Sequence, residues 1–200
     1  MVLKMSKMDY REYWEKGISY EDYLSNFSKE MRLGQEVLYA QYLPQNWTRQ
    51  LRIHRKTRFA GSMVEKIKVQ RWLVITEHWC GDASQIIPVF QKLADESEGK
   101  IEVRYVYRDQ NPELIDTHLT DGRSRSIPIF LKLDNNDQVI KVYGPRPEEA
   151  QQLVKDSLLK GEDYNIPLHS WYAKDRQQSI LYDLWEFVDD ESLSWHSDND

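Results

Sequence analysis

Apolar residues change their spacing partway along the chain. Over the first sixty positions they recur at helical intervals. Tyr20, Leu24 and Phe27 fall on one face, behind Ser19 as a cap with Asp22 three residues on. A further helix is expected over 28–42, where Met31, Val37, Leu38 and Tyr42 are apolar, with Pro44 as its stop. Residues 47–58 carry Arg49, Arg52, Arg55, Lys56 and Arg58. They read as a solvated basic helix face, or otherwise as a dock for an acidic partner.

From residue 71 the pattern shortens. The run 71–76 (RWLVIT) is apolar and β-branched, as in a buried strand. Residues 82–97 return to a helical stripe, with a kink expected at Pro88. The run 101–107 (IEVRYVY) alternates as a strand does, and 112–119 reads as a short helix led by Pro112. Two more strands, 129–133 and 138–143, flank the turn 134–137 (DNND) and form a hairpin. Residues 148–160 and 175–188 are helical stripes, and the polar end SWHSDND reads as frayed. The first strand–helix–strand unit places its strands parallel with a right-handed crossover. The fold class is therefore α/β, a mixed sheet flanked by helices. Residues 1–60 form an N-terminal helical extension, 61–160 the core, and 161–200 a C-terminal helix and tail.

Composition narrows this picture. Hydrophobic residues make up 40% of the 200, and seven tryptophans and twelve tyrosines favour a packed globule. A net charge of −6 argues against general nucleic-acid binding, which needs a basic face. No run of about 18 apolar residues exists, so no membrane partner is expected. No secretory signal is visible behind Met1, and the expected location is cytoplasmic, where free thiols persist. The one cysteine excludes an internal disulfide and cysteine-rich zinc sites. No His-Glu-x-x-His motif is present, and no metal or cofactor is expected. The sequence carries no signal for oligomeric state.

That cysteine, Cys80, falls where the first strand turns into the following helix, in Trp79-Cys80-Gly81-Asp82-Ala83. Unpaired N–H groups and the dipole at a helix start favour a thiolate. Thiols so placed drop from about 8.5 to between roughly 3.5 and 7.5. The Asp82 charge opposes this, so a moderate depression is expected. The alternative is that Cys80 is a small, inert core residue.

The run Trp79-Cys80-Gly81 after an apolar strand resembles the active-site turn of thioredoxins, and the order of elements is similar to theirs. More narrowly, the chain resembles a bacterial branch of the thioredoxin family with WCGDA in place of the two-cysteine turn. The stretches that carry this are 74–83 (VITEHWCGDA), Arg108-Asp109, 119–122 (LTDG), 126–128 (SIP), 144–147 (GPRP) and 171–175 (WYAKD). The resemblance implies that Ile127-Pro128 is the family's cis-proline site opposite the cysteine. It also implies that the Ile127 backbone pairs with bound substrate and that Trp79, Gly81 and Asp82 flank the groove. Three departures stand out. Ala83 replaces the resolving cysteine, Asp82 replaces the family's proline, and Val74 stands where the family has a buried aspartate. An internal dithiol cycle cannot close.

Two functions follow. Cys80 acts as a monothiol in thiol–disulfide exchange, resolved by an external thiol, with a protein or a low-molecular-weight thiol or disulfide as partner. Alternatively the groove binds a peptide or protein and the thiol is incidental. Other candidates are secondary. His78 is expected to be exposed and unpaired. Arg123 or Arg125, in the loop before Pro128, could stabilise a thiolate or bind carboxylates, or could be solvated loop charges. Arg108 and Arg146 read as structural punctuation.

Overall fold

A computed structural model describes residues 8–189. The charged start of the chain and the polar run ending in Asp200 lie outside the described residues. Four strands form one sheet among them: β1 (Gln70–Thr76), β2 (Ile101–Tyr107), β3 (Ile129–Leu133) and β4 (Val139–Tyr143), in the order β2-β1-β3-β4. β1 pairs parallel to β2, from Gln70 against Ile101 to Thr76 against Tyr107. It pairs antiparallel to β3, and β3 antiparallel to β4. β1 and β3 are buried on both faces apart from half-buried Arg71, which explains why their sequences are apolar runs. β4 lies at the edge and alternates, leaving Ile140 and Val142 exposed.

Helices cover the sheet. The extension provides α1 (Tyr10–Lys16), α2 (Tyr20–Leu33) and α3 (Leu43–Lys56), followed by the short α4 (Gly61–Val64). Next come α5 (Gly81–Glu96), α6 (Pro112–Asp116), α7 (Glu148–Lys160), α8 (Asn165–Asp175) and α9 (Gln178–Val188). α5 lies between the sheet and α3, is buried nearly all round, and runs through Pro88 as a single helix. Ser19 caps α2, its Oγ accepting the Asp22 N–H at 3.1 Å.

Three features of the extension differ from the sequence reading. No helix spans 28–42: α2 ends at Gly34 (φ +60°), and two 3-10 turns at Gly34–Glu36 and Ala40–Tyr42 lead onward. Pro44 does not stop a helix but sits in the first turn of α3, where the missing N–H costs nothing. Arg49 leaves the solvated face expected for it and is buried against α5, donating to Asn46 Oδ1 and Ser84 Oγ. The C-terminal region holds two helices rather than one. α8 escaped the periodicity test because its apolar residues do not share a face: Leu168 and Tyr172 are buried while Ile166 is exposed.

The added segments are fastened to the core. Ile18 exchanges two 2.9 Å backbone hydrogen bonds with Tyr105, covering part of the β2 edge. Trp14 packs under the Arg71 guanidinium at 4.2 Å, and Asp137 accepts from both Arg11 and Arg71. At the other end, fully buried Lys132 donates to the carbonyls of Phe187 (3.2 Å) and Val188 (3.0 Å), and Gln70 donates to Val188 at 2.8 Å. The last carbonyls of α9 are thereby satisfied by the core.

Candidate functional site

Cys80 is the N-cap of α5, held in extended backbone between the end of β1 and the first helical turn. Its Sγ accepts the Ala83 N–H at 3.4 Å and donates to the Ile127 carbonyl at 3.2 Å. The Ile127–Pro128 peptide is cis, and both residues are buried beside the thiol. Gly144 backs this pair: a Cβ there would meet the Pro128 oxygen at 2.1 Å, so only glycine allows the approach.

Cys80 is 7% exposed, and burial, followed by the Asp82 charge, pushes its pKa up to about 12. This corrects the depression expected from the helix start. The Ala83 N–H at 3.4 Å, the nearby Arg146 and the Asp82 N–H favour the thiolate, but loss of solvation outweighs them.

Asp82 lines the cleft beside the thiol and is held by buried partners. Its Oδ2 accepts Arg146 Nε at 3.0 Å and Nη2 at 2.6 Å, while Oδ1 accepts the Tyr172 hydroxyl at 2.6 Å. All three side chains are buried or nearly so, and Arg146 also donates to Gln151 Oε1 at 2.7 Å. Arg146 is thus an ion-pair partner of the thiol turn, not mere punctuation between two prolines. Burial, then the Asp82 charge, raises the Tyr172 phenol.

On the other flank, His78 is not exposed. Its ring is buried between Phe27 and Tyr23, with centroids 4.5 Å from each. Nε2 lies 3.1 Å from the Tyr23 carbonyl, and the Glu30 carboxylate stands 2.8 Å from Nδ1 but out of line for a hydrogen bond. Glu77 accepts the Asp109 N–H at 2.9 Å, and burial pushes it up to about 7. Asp109 in turn anchors Arg108, whose guanidinium stacks on Trp79 at 4.7 Å. Tyr39 packs on Trp79 at 4.9 Å.

A cleft of about 460 Å³ has Cys80, Trp79, Gly81, Asp82 and Ile127 in its lining. Pro128 lies behind it. Arg125 reaches the rim and makes a two-pronged pair with Asp116 at 2.7 Å, whereas Arg123 is not in the lining. Further walls come from both added segments: Tyr39, Tyr42 and Asn46 from one, Leu168, His169 and Tyr172 from the other. A larger cavity of about 640 Å³ lies along β4, with His118 and Asp183 in its lining, and does not include Cys80. Among the described residues no cluster of His, Cys, Asp or Glu is placed to hold a metal, and no helix is long and apolar enough to cross a membrane.

A family model described as Thioredoxin matches residues 32–160, well over half of the chain. The chain belongs to the thioredoxin family. Among curated relatives, thioredoxin 1 of Nostoc sp. is 33% identical over 79 residues, covering 38% of this chain and 70% of the relative. The thioredoxin of Staphylococcus aureus is 32% identical over 81 residues, covering 40% and 74%. Two solved structures share the wider fold. A Pseudomonas aeruginosa protein of unknown function superposes with a TM-score of 0.62 at 15% identity, over 91% of this chain and 98% of its own. An HIV epitope scaffold gives 0.58 at 17% identity, over 89% and 96%. Family membership supports thiol–disulfide oxidoreductase chemistry in general terms, and protein or thiol substrates with it.

Proposed function

We propose that this thioredoxin-family chain is a monothiol exchange protein acting through Cys80. Cys80–SH and a disulfide R–S–S–R′ give Cys80–S–S–R and R′–SH. A second, external thiol R″–SH then attacks, returning Cys80–SH and R–S–S–R″. Each step is a balanced exchange that needs no other oxidant. Ala83 offers no internal thiol, so the mixed disulfide waits for the external one. The observation that carries this reading is the Cys80 sulfur at the helix start, facing the Ile127 carbonyl within a cleft. Trp79, Gly81 and Ile127 would form the substrate contacts, Pro128 would support them from behind, and Asp82 would act from within. The core of 61–160 would carry the chemistry, with 1–60 and 161–200 as its walls. A protein or a small thiol or disulfide would be the partner, without nucleic acid or membrane. A cycle that ends on an external thiol suits the cytoplasm.

Burial of the thiol favours a second reading, a peptide- or protein-binding module whose cysteine is incidental. Burial holds the thiol in its protonated form at pH 7. Alkylation of Cys80 across pH, followed by exposure to disulfides, separates the two. The monothiol reading expects slow alkylation in the free protein, a mixed disulfide that persists until thiol is added, and complete loss in Cys80→Ser. If no disulfide yields an adduct while Cys80→Ser still retains a bound partner, the protein is the binding module.

A further inference from the structure

We infer that the Cys80 cleft takes a small disulfide bearing carboxylates, in preference to a protein segment. This rests on the monothiol reading and names its substrate class.

The first observation is enclosure. Residues from α8 and from the 3-10 turn at Ala40–Tyr42 stand on two sides of the thiol. A volume of about 460 Å³ matches the space that small-molecule sites offer. Trp79, Tyr39 and Tyr42 supply apolar faces for the organic part of a ligand.

The second observation is charge. Arg108, Arg125 and Arg146 line the cleft, and each already has one carboxylate: Asp109, Asp116 and Asp82 respectively. Arg49 is the fourth guanidinium, just behind the lining residue Asn46. It is 8% exposed, yet it donates only to neutral groups, Asn46 Oδ1 at 3.1 Å and Ser84 Oγ at 2.9 Å. Among the described residues no carboxylate pairs with it. Ser84 belongs to the first turn of α5, so the positive end of the helix adds to the guanidinium instead of offsetting it. A cation withdrawn from water with no carboxylate in direct contact is costly. Burial, then Arg52, holds this guanidinium below its ordinary value, while Tyr172 and the Asp82 carboxylate act in the opposite sense. Arg49 reaches the cleft through the lining residue Asn46, which accepts from it, and the lining itself sets the three guanidiniums of Arg108, Arg125 and Arg146 against the single carboxylate of Asp82. The exchange is the one written above: Cys80–SH and R–S–S–R give Cys80–S–S–R and R–SH, with the thiol proton leaving on the released thiol.

The test mixes the reduced, full-length chain with glutathione disulfide (anionic), 2-hydroxyethyl disulfide (neutral) and cystamine (cationic). Adducts are followed by intact mass, and rates are normalised to those of a free cysteine derivative. Glutathione disulfide should lead cystamine by at least about tenfold, and the lead should shrink as salt is raised. Arg49→Gln should narrow the lead severalfold. Because that variant could fail to fold, exposed Arg125→Gln provides a second reading of the same effect. Equal normalised rates for all three, or faster exchange with insulin than with glutathione disulfide, would overturn the inference and leave the monothiol reading intact. No adduct with any disulfide would overturn the monothiol reading instead. In that case Cys80→Ser is titrated with S-methylglutathione: saltable binding, reduced in Arg125→Gln, keeps the anion pocket, and no binding removes it.

Discussion

Two carboxylates flank Cys80 on the same strand-to-helix turn, and the structure treats them differently. Glu77 is 9% exposed and Asp82 is 7% exposed, so both have lost their water to the same degree. Glu77 is left with one backbone N–H, from Asp109, and its carboxyl is pushed up to about 7. Asp82 receives two guanidinium N–H groups and a phenol O–H. Equal burial therefore leaves the two carboxylates with different partners, because what arrives from distant parts of the chain differs.

The comparison breaks most sharply at Arg146. Arg146→Met should leave Asp82 buried without its cation and cost about 3–5 kcal/mol in urea unfolding. It should also slow alkylation of Cys80, since the one nearby cation that favours the thiolate is gone. An unfolding midpoint equal to wild type would mean that Asp82 finds other partners. Tyr172→Phe removes a single hydrogen bond to a charged oxygen, with an expected loss of about 1.5–3 kcal/mol by the same measurement. No change would place the whole stabilisation of Asp82 in the ion pair.

Glu77→Gln sharpens the contrast from the other side. The folded Glu77 carboxyl is raised to about 7, against about 4.3 in an unfolded chain. A group raised on folding favours the fold fully below its unfolded value. That contribution is lost as pH rises through its folded value, so the window runs from about 4.3 to about 7. Glutamine can still accept the Asp109 N–H but cannot ionise. The variant should be about 1–3 kcal/mol more stable than wild type at pH 8 and should lose the slope within that window. A wild-type stability that is flat from pH 4.5 to pH 7 would contradict the assignment.

The same contrast explains what could be read from the chain. β1, β2 and the hairpin of β3 and β4 were legible because their patterns are local: an apolar run, an alternation, and a turn of Asp and Asn. Cys80 at the start of α5 was legible for the same reason. The electrostatics of the site were not. Asp82 lies 64 residues from Arg146 and 90 from Tyr172, and nothing in 144–147 shows that Arg146 turns inward. His78 and Arg49 looked solvated because their types usually are, but Phe27, Tyr23 and Ser84 come from elsewhere to enclose them. Pro44 was misjudged because proline ends one helix and begins another with equal ease, and only the chain beyond decides which.

The docking of α9 bears on how separable the parts of this molecule are. A chain shortened to residues 32–160 would keep every strand and the thiol. It would also lose the Phe187 and Val188 carbonyls that receive the Lys132 ammonium, and the Tyr172 hydroxyl that holds Asp82. The segment that matches the family therefore draws partners for two of its buried polar groups, Lys132 and Asp82, from the C-terminal helices.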